Sequence, residues 1–393
     1  MNLAYGQHSF ALQTRVEYGP QVHEKIGAVG KHLGCHKALL ITDANLVKTG
    51  LAEKVIRPLR EGGLEVVVFD QVTTEPTDLL VESGVKVLKE TRCDLVVALG
   101  GGSAMDCAKC INVMADNPGR ITDYEGAESQ FPHDTARPLI TLPTTSGSGA
   151  EIAGWAVITD TARSYKMSLG SSYLTPDYAL VDPVLTLDLP ARQTAYSGLD
   201  ALSQAIEGML SRRRSPISIA LGMHAVQLLS ENLPRAVARG YDLEARSNMA
   251  TGSLLAGIVV NLAGCIAVHS LAESIGGFYH VPHGLAVALF LAPVLRFNFP
   301  GDHTLLAQIA DAMGENTEGF SEHEAAELAI DRVEQLLEEL RFPTLAEVGT
   351  KEADIPRIAT LALGNVCTLD NPCPMSQDDF EAILRDAVGT EGK

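Results

Sequence analysis

Hydrophobic and polar positions fall into two textures along the chain. In the first half, short apolar runs alternate with stretches whose apolar residues recur at helical spacing. Ala38–Thr42 (A-L-L-I-T) is a continuous apolar run that ends at Asp43, and Leu64–Phe69 and Asp94–Leu99 repeat the pattern. Between them Leu51–Arg60 and Leu79–Thr91 read as helices, the first closed by Gly62-Gly63. Apolar strands separated by helices predict a parallel sheet with helices on both faces. Its ligand site is expected beyond the carboxyl ends of the strands. From about Asp188 the strand-like runs cease. Helical patterns follow over Ala191–Ser211, Ile217–Arg239, Leu243–Leu262, Ala267–Gly276 and Glu322–Leu340. The expected fold is an α/β parallel-sheet domain over residues 1–188 and an all-α domain over residues 189–393, without internal repeats.

Length supports that division, because 393 residues exceed what one ordinary core holds. A formal net charge of −19 argues against a basic face, so neither nucleic acid nor an anionic membrane is an expected partner. Met1–Val16 lacks the apolar core of a signal peptide. Leu254–Leu271 is apolar enough to be weighed as a membrane span. Asn261, His269 and the glycines 257 and 264 interrupt it, which favours a buried helical core. Seven scattered cysteines, an odd number, fit a reduced cytoplasmic protein better than a disulfide framework. Cys107 and Cys110 form a lone C-x-x-C with no second pair nearby, and read as two small core residues on a helix.

Two segments have the chemistry of a phosphate cradle. Gly100-Gly101-Gly102-Ser103 follows a strand and opens a helix pattern over Ala104–Asn112. Glycines let the main chain approach a ligand, and the helix start offers free N–H groups to an anion. The spacing is not G-x-G-x-x-G, so the ordinary dinucleotide fold is not indicated, and a purely structural turn fits the glycines as well. Pro143–Glu151 (P-T-T-S-G-S-G-A-E) is a second segment dense in hydroxyls and glycine. Asp43, at a strand end, could accept hydrogen bonds from ribose hydroxyls and would repel the extra phosphate of NADP, which points to NAD. The alternative is that Asp43 caps the helix Ala44–Val47.

The helical half carries a different constellation. Asp200 and Gln204 stand four apart in G-L-D-A-L-S-Q-A-I-E, so both face one side of a helix. His269 and Glu273 repeat the spacing in V-H-S-L-A-E-S-I-G-G, and His280 and His283 follow in F-Y-H-V-P-H-G. Singly, a histidine in an apolar helix is more often a hydrogen-bonded core residue than a ligand. Together these residues offer the imidazoles and carboxylates that hold a first-row metal. Such a cation stabilises charge developing on a carbonyl oxygen during hydride transfer, while a nicotinamide supplies the hydride.

Over essentially its whole length the chain resembles the iron-containing (group III) alcohol dehydrogenases. The matching segments are G-G-G-S-A-M-D-C-A-K (Gly100–Lys109), D-Y-E-G (Asp123–Gly126), Pro143–Glu151, D-P-V-L-T-L-D-L-P (Asp182–Pro190), G-L-D-A-L (Gly198–Leu202), F-Y-H-V-P-H-G-L-A (Phe278–Ala286) and N-V-C-T-L-D-N-P-C-P (Asn365–Pro374). The resemblance implies a dehydroquinate synthase-like architecture, with a nucleotide-binding α/β domain, a helical domain and the active site in the cleft between them. It places Gly101, Gly102 and Ser103 at the pyrophosphate, Thr144, Thr145 and Ser148 around the rest of NAD, and Lys166 near the cofactor. It implies at least a homodimer, a small alcohol or aldehyde as substrate, and one divalent metal, iron or zinc, on an aspartate and three histidines. Asp200, His269 and His283 match three of those ligands; Gln204 stands where the fourth histidine belongs. Glu273 stands where the family often has a non-ligating histidine suspected in proton relay.

Three readings of the site stay open. Gln204 offers a weak amide oxygen, or water fills its place; Glu273 moves in as an anionic ligand; or metal is lost and Glu273 or His280 polarises the carbonyl. Small residues at Ala153 and Gly154 suggest extra room for substrate, or different polar contacts, relative to family members that accept short alcohols. Arg212-Arg213-Arg214 could attract an anionic one, although a solvated helix end is the simpler reading. Two rival functions remain: a metal-independent enzyme using NAD transiently, as related sugar-phosphate cyclases do, and a non-catalytic NAD-binding relative.

Overall fold

The apolar runs of the first half become strands of one parallel sheet. The computed structural model describes residues 7–72, 75–126, 128–135, 137–163 and 165–388. Its strands are β1 (Arg15–Tyr18), β2 (Lys37–Ile41), β3 (Glu65–Phe69), β4 (Leu95–Gly100), β5 (Leu139–Pro143), β6 (Trp155–Asp160), β7 (Tyr165–Gly170) and β8 (Tyr178–Val181). Six of them form a sheet in the order β1-β8-β5-β4-β2-β3, every neighbouring pair parallel. The other two, β6 and β7, pair as an antiparallel hairpin. Helices α1 (Ile26–His32), α2 (Ala44–Lys48), α3 (Glu53–Glu61), α4 (Asp78–Thr91) and α5 (Gly102–Met114) connect them.

The period of two in each strand divides its apolar residues between two cores. Leu39, Ile41, Val96 and Ala98 pack with Val81, Met105 and Ile111 from α4 and α5. Ala38, Leu40, Val97 and Leu99 pack with Ile26, Val55 and Leu59 from α1 and α3. Every position of β4 and β5 is buried, which is why these strands read as unbroken apolar runs. Gly100 lies opposite Pro143 across the β4–β5 ladder, so the glycine segment and the hydroxyl segment leave the sheet side by side at its carboxyl edge. Ile41 pairs with Ala98, which brings Asp43 to the same edge.

This α/β unit spans Ala11–Leu189, and a helical unit runs from Pro190 onward. The second contains α6 (Ala191–Leu210), α7 (Pro216–Ala238), α8 (Leu243–Ala263), α9 (Ala267–Tyr279), α10 (His283–Asn298), α11 (His303–Ala312), α12 (Glu322–Glu339), α13 (Leu345–Val348), α14 (Ile355–Leu363) and α15 (Gln377–Val388). One core joins them, with Leu199, Leu229, Phe290, Leu306 and Phe380 fully buried. Removing each such side chain from water is worth about 1.5–3 kcal/mol. The apolar stretch Leu254–Leu271 is two helices, not one: Gly264 adopts φ +72 and the chain turns through 101° between α8 and α9. His283–Gly301 is long and apolar enough to span a bilayer, and its Leu285, Phe290 and Leu291 lie in the helical core.

A turn near the chain's far end laces along α9 in steps of three. Asn365 Nδ2 donates to Glu273 Oε2 at 2.6 Å, and Thr368 Oγ1 donates to Ser270 Oγ at 2.8 Å. Asn371 Oδ1 accepts from the Ala267 amide at 3.4 Å and from Asn298 Nδ2 at 2.9 Å.

Candidate active site

Helix α6 presents Asp200, Ser203, Gln204 and Glu207 along one buried face, as their spacing of three and four dictates. His269 lies in the first turn of α9 and His283 opens α10. The two helices can bring their imidazoles together because the chain reverses sharply at His280. That residue ends α9 in the left-handed region (φ 55), and Pro282 immediately precedes α10. Tyr279 anchors the corner: its hydroxyl donates to Asp354 Oδ2 at 2.5 Å and accepts from the Lys351 amide at 3.0 Å.

One ligand atom from each of Asp200, His269 and His283 lies within 4.8 Å of the other two. Asp200 Oδ1 is 3.5 Å from His269 Nε2 and 3.7 Å from His283 Nε2. Two ligands held about 2.1 Å from a tetrahedral cation stand about 3.4 Å apart, so these separations suit a shared metal. The side chains of Asp200 and His269 are buried, while that of His283 is 43% exposed, which leaves the cluster open on one side. Gln204 Nε2 donates to Asp200 Oδ1 at 3.2 Å. Its Oε1 is buried without a hydrogen-bond partner among the described residues. An orphaned buried acceptor costs about 1–3 kcal/mol, which a cation beside it would recover. The residues present fit a divalent metal.

The electrostatics agree with the geometry. Burial works against ionisation of Asp200, but the His269 and His283 imidazoles and the Gln204 amide outweigh it and hold the carboxyl below its ordinary value. Burial likewise opposes protonation of His269, and the adjoining Glu207 and Asp200 carboxylates outweigh it, pushing the imidazole well above its ordinary value. The Cys265 thiol is itself pushed up to about 11, chiefly by burial, and stays neutral at neutral pH; the carboxylates supply the charge.

Glu273 and His280 stand apart from the three converging ligands. The Glu273 carboxylate is tied to Asn365, and His280 is exposed at its turn. Sequence spacing overlooked Glu207. It lies seven residues, two turns, beyond Asp200 on the same helix face, and its Oε1 is 2.6 Å from His269 Nδ1.

In the α/β unit the two predicted cradle segments meet. The Thr144 amide donates to the Gly100 carbonyl at 2.9 Å. A Cβ on Gly102 would sit 2.9 Å from Ser148 Oγ, and one on Gly101 would sit 3.4 Å from Thr145 Oγ1. Gly101 begins the 13-residue helix α5 with no side-chain cap, beside Ser103 in its first turn. The bare backbone and open helix start fit a pyrophosphate. Asp43 takes the capping role: its Oδ1 accepts from the amides of Asn45 at 2.8 Å and Leu46 at 3.1 Å. Lys166 lies on β7, with Nζ 2.8 Å from Glu75 Oε1. A buried cation absent from the expected site holds α5 to the hairpin. Lys109 Nζ donates to the Trp155 carbonyl at 2.8 Å, and Asp106 Oδ2 accepts from the Val157 amide at 3.0 Å.

One expectation needs correction. Gly154 does not open a pocket, because a Cβ there would lie 2.8 Å from both the Ser171 carbonyl oxygen and Thr175 Oγ1. Close packing, not substrate, requires the glycine. Arg212–Arg214 lie beyond the end of α6 at Leu210, and Arg213 and Arg214 pair with Asp370 at 3.6 Å and Asp302 at 2.6 Å. Cys107 and Cys110 are buried in α5, as expected of core residues.

The sequence model of the iron-containing alcohol dehydrogenases matches residues 13–183, and that of the family's C-terminal region matches residues 194–388. The chain is 40% identical over 366 residues to the NAD-dependent methanol dehydrogenase of Bacillus methanolicus, covering 93% of this chain and 96% of that one. It is 39% identical over 388 residues to the 1,3-propanediol dehydrogenase of Citrobacter freundii, covering 98% and 100%. A crystal structure of 1,3-propanediol oxidoreductase superposes with a TM-score of 0.95 at 36% identity, covering 97% of this chain and all of the other.

Proposed function

Because the chain belongs to the iron-containing alcohol dehydrogenase family, oxidoreductases acting on CH–OH groups, we propose that it interconverts a small alcohol and its aldehyde with NAD and a divalent metal, iron or zinc. The observation that carries this reading is the convergence of Asp200, His269 and His283, with Gln204 at the fourth position. Bound there, a divalent cation supplies Lewis-acid polarisation of the substrate oxygen. NAD supplies or accepts the hydride. The residues do the rest. Asp200 would bring a negative charge that balances the cation, the two imidazoles would present ring nitrogens freed of their proton as the cation binds, and the buried amide oxygen of Gln204 would complete the set. Half-exposed His283 marks the side from which substrate would enter, and Glu273 on α9 and His280 at its end, though apart from the three ligands, are the groups proposed for proton transfer. Gly101, Gly102 and Ser103 receive the pyrophosphate, Thr144, Thr145 and Ser148 line the nucleotide, Lys166 lies near it, and the Asp43 carboxylate favours NAD over NADP.

The proposed setting is cytoplasmic, in keeping with cysteines that are all free. The proposed assembly is a homodimer through the domain of residues 1–188, whose sheet ends in the short edge strand β1 with Tyr18 exposed.

The test combines elemental analysis with NADH oxidation on a panel of small aldehydes, before and after a chelator. About one iron or zinc per chain, with activity lost on chelation and restored by metal, is expected. Asp200→Ala and His269→Ala should abolish turnover while leaving NADH affinity within about twofold of wild type. Near-normal turnover in both variants would refute the metal site.

A further inference from the structure

Glu207 plays no part in the chemistry above, yet both its carboxylate oxygens are engaged beside the site. Its side chain is completely buried. Ser203 Oγ donates to Oε1 at 2.7 Å and His269 Nδ1 lies 2.6 Å from the same oxygen. The Ile266 amide donates to Oε2 at 2.8 Å, and the His269 amide approaches it at 3.4 Å. A carboxylate taken out of water costs several kcal/mol unless such donors replace its hydration. An apolar residue at this buried position would avoid that cost, so packing alone does not account for a glutamate here.

We infer that Glu207 is a positioning residue: it holds the proton of His269 on Nδ1, orients the ring so that Nε2 faces Asp200, and strengthens that nitrogen as a donor to a divalent cation. The inference rests on the reading of His269 as a metal ligand. Ser203 and the Ile266 amide fix the carboxylate in turn, so one face of α6 supplies both the ligands and their support. A competing arrangement is visible, since Glu207, Cys265 and His269 also bring ligand atoms within 4.8 Å of one another. Distance decides between them. At 2.6 Å, Glu207 Oε1 and His269 Nδ1 are closer than the roughly 3.4 Å between two ligands of one tetrahedral metal, and at hydrogen-bond length.

Cobalt(II) titration of the metal-depleted full-length protein tests this, read by visible absorption and by competition with a chromophoric chelator. Glu207→Gln should weaken cobalt binding about 10- to 100-fold and shift the visible bands, with NADH affinity unchanged. Wild-type affinity and spectrum in Glu207→Gln, alongside loss of binding in His283→Ala, would overturn the role of Glu207 and leave the ligand reading standing. Wild-type affinity in both His269→Ala and His283→Ala would overturn the ligand reading and the inference with it. A thiolate-to-cobalt charge-transfer band that disappears in Cys265→Ser would place the cation on the Nδ1 side, also overturning it. Nitrogen NMR of histidine-labelled, zinc-loaded wild type needs no variant of Glu207. The His269 proton is expected on Nδ1, and a proton on Nε2 refutes the inference.

Discussion

At the scale of residues, Gln204 is where this chain departs from the ligand set its resemblance implies. Its amide already spends Nε2 on Asp200 and leaves Oε1 without a partner among the described residues. An imidazole in its place would offer a stronger nitrogen donor to a borderline cation such as zinc. Gln204→His is therefore expected to tighten zinc binding about tenfold or more, which competition with a chromophoric chelator would measure. Unchanged affinity would mean that the pocket has closed around the amide. Asp200, Gln204, His269 and His283 were legible because helical spacing and short motifs place them. Glu207 carried the same spacing, but the partner that gives it meaning lies 62 residues away, and no local pattern encodes a tertiary hydrogen bond. Gly154 shows the converse: its smallness was legible, and the backbone oxygen that requires it was not.

At the scale of elements, β2, β3 and β4 and the helices between them followed from the sequence because continuous apolar runs and helical spacing alternate without ambiguity. The hairpin β6–β7 escaped because it packs one face only, and β1 because four partly exposed residues carry little pattern. Helix α10 escaped because its residues are apolar nearly all round and show no face. The lacing along α9 is an element-level device that alternating polarity could not reveal. Its deepest stitch is Asn371, whose amide exchanges hydrogen bonds with Asn298 in both directions, at 2.8 and 2.9 Å. Asn371→Ala would strand the buried Nδ2 of Asn298 and the Ala267 amide. A loss of about 2–4 kcal/mol is expected in urea unfolding, and a loss below about 0.5 kcal/mol would mean that the stitch carries little of α9's anchorage.

At the scale of the whole molecule, association is the property that composition leaves open. A net charge of −19 opposes non-specific contact, so self-association needs a defined surface. Sedimentation equilibrium should give about twice the chain mass of 41.8 kDa, and a single species at the chain mass would refute the dimer. The lacing also sets an order of events in biosynthesis. Glu273, Ser270 and Ala267 leave the ribosome 92, 98 and 104 residues ahead of the side chains that meet them. At about 5–20 residues per second, α9 waits roughly 5–20 s with its polar positions unmet, while every strand of the parallel sheet has already emerged. If Asp200, His269 and His283 hold the cation as proposed, a cation arriving in that interval would meet a helix α9 held at its start by Glu207 but not yet laced along its length, and capture of the metal would fall late in maturation.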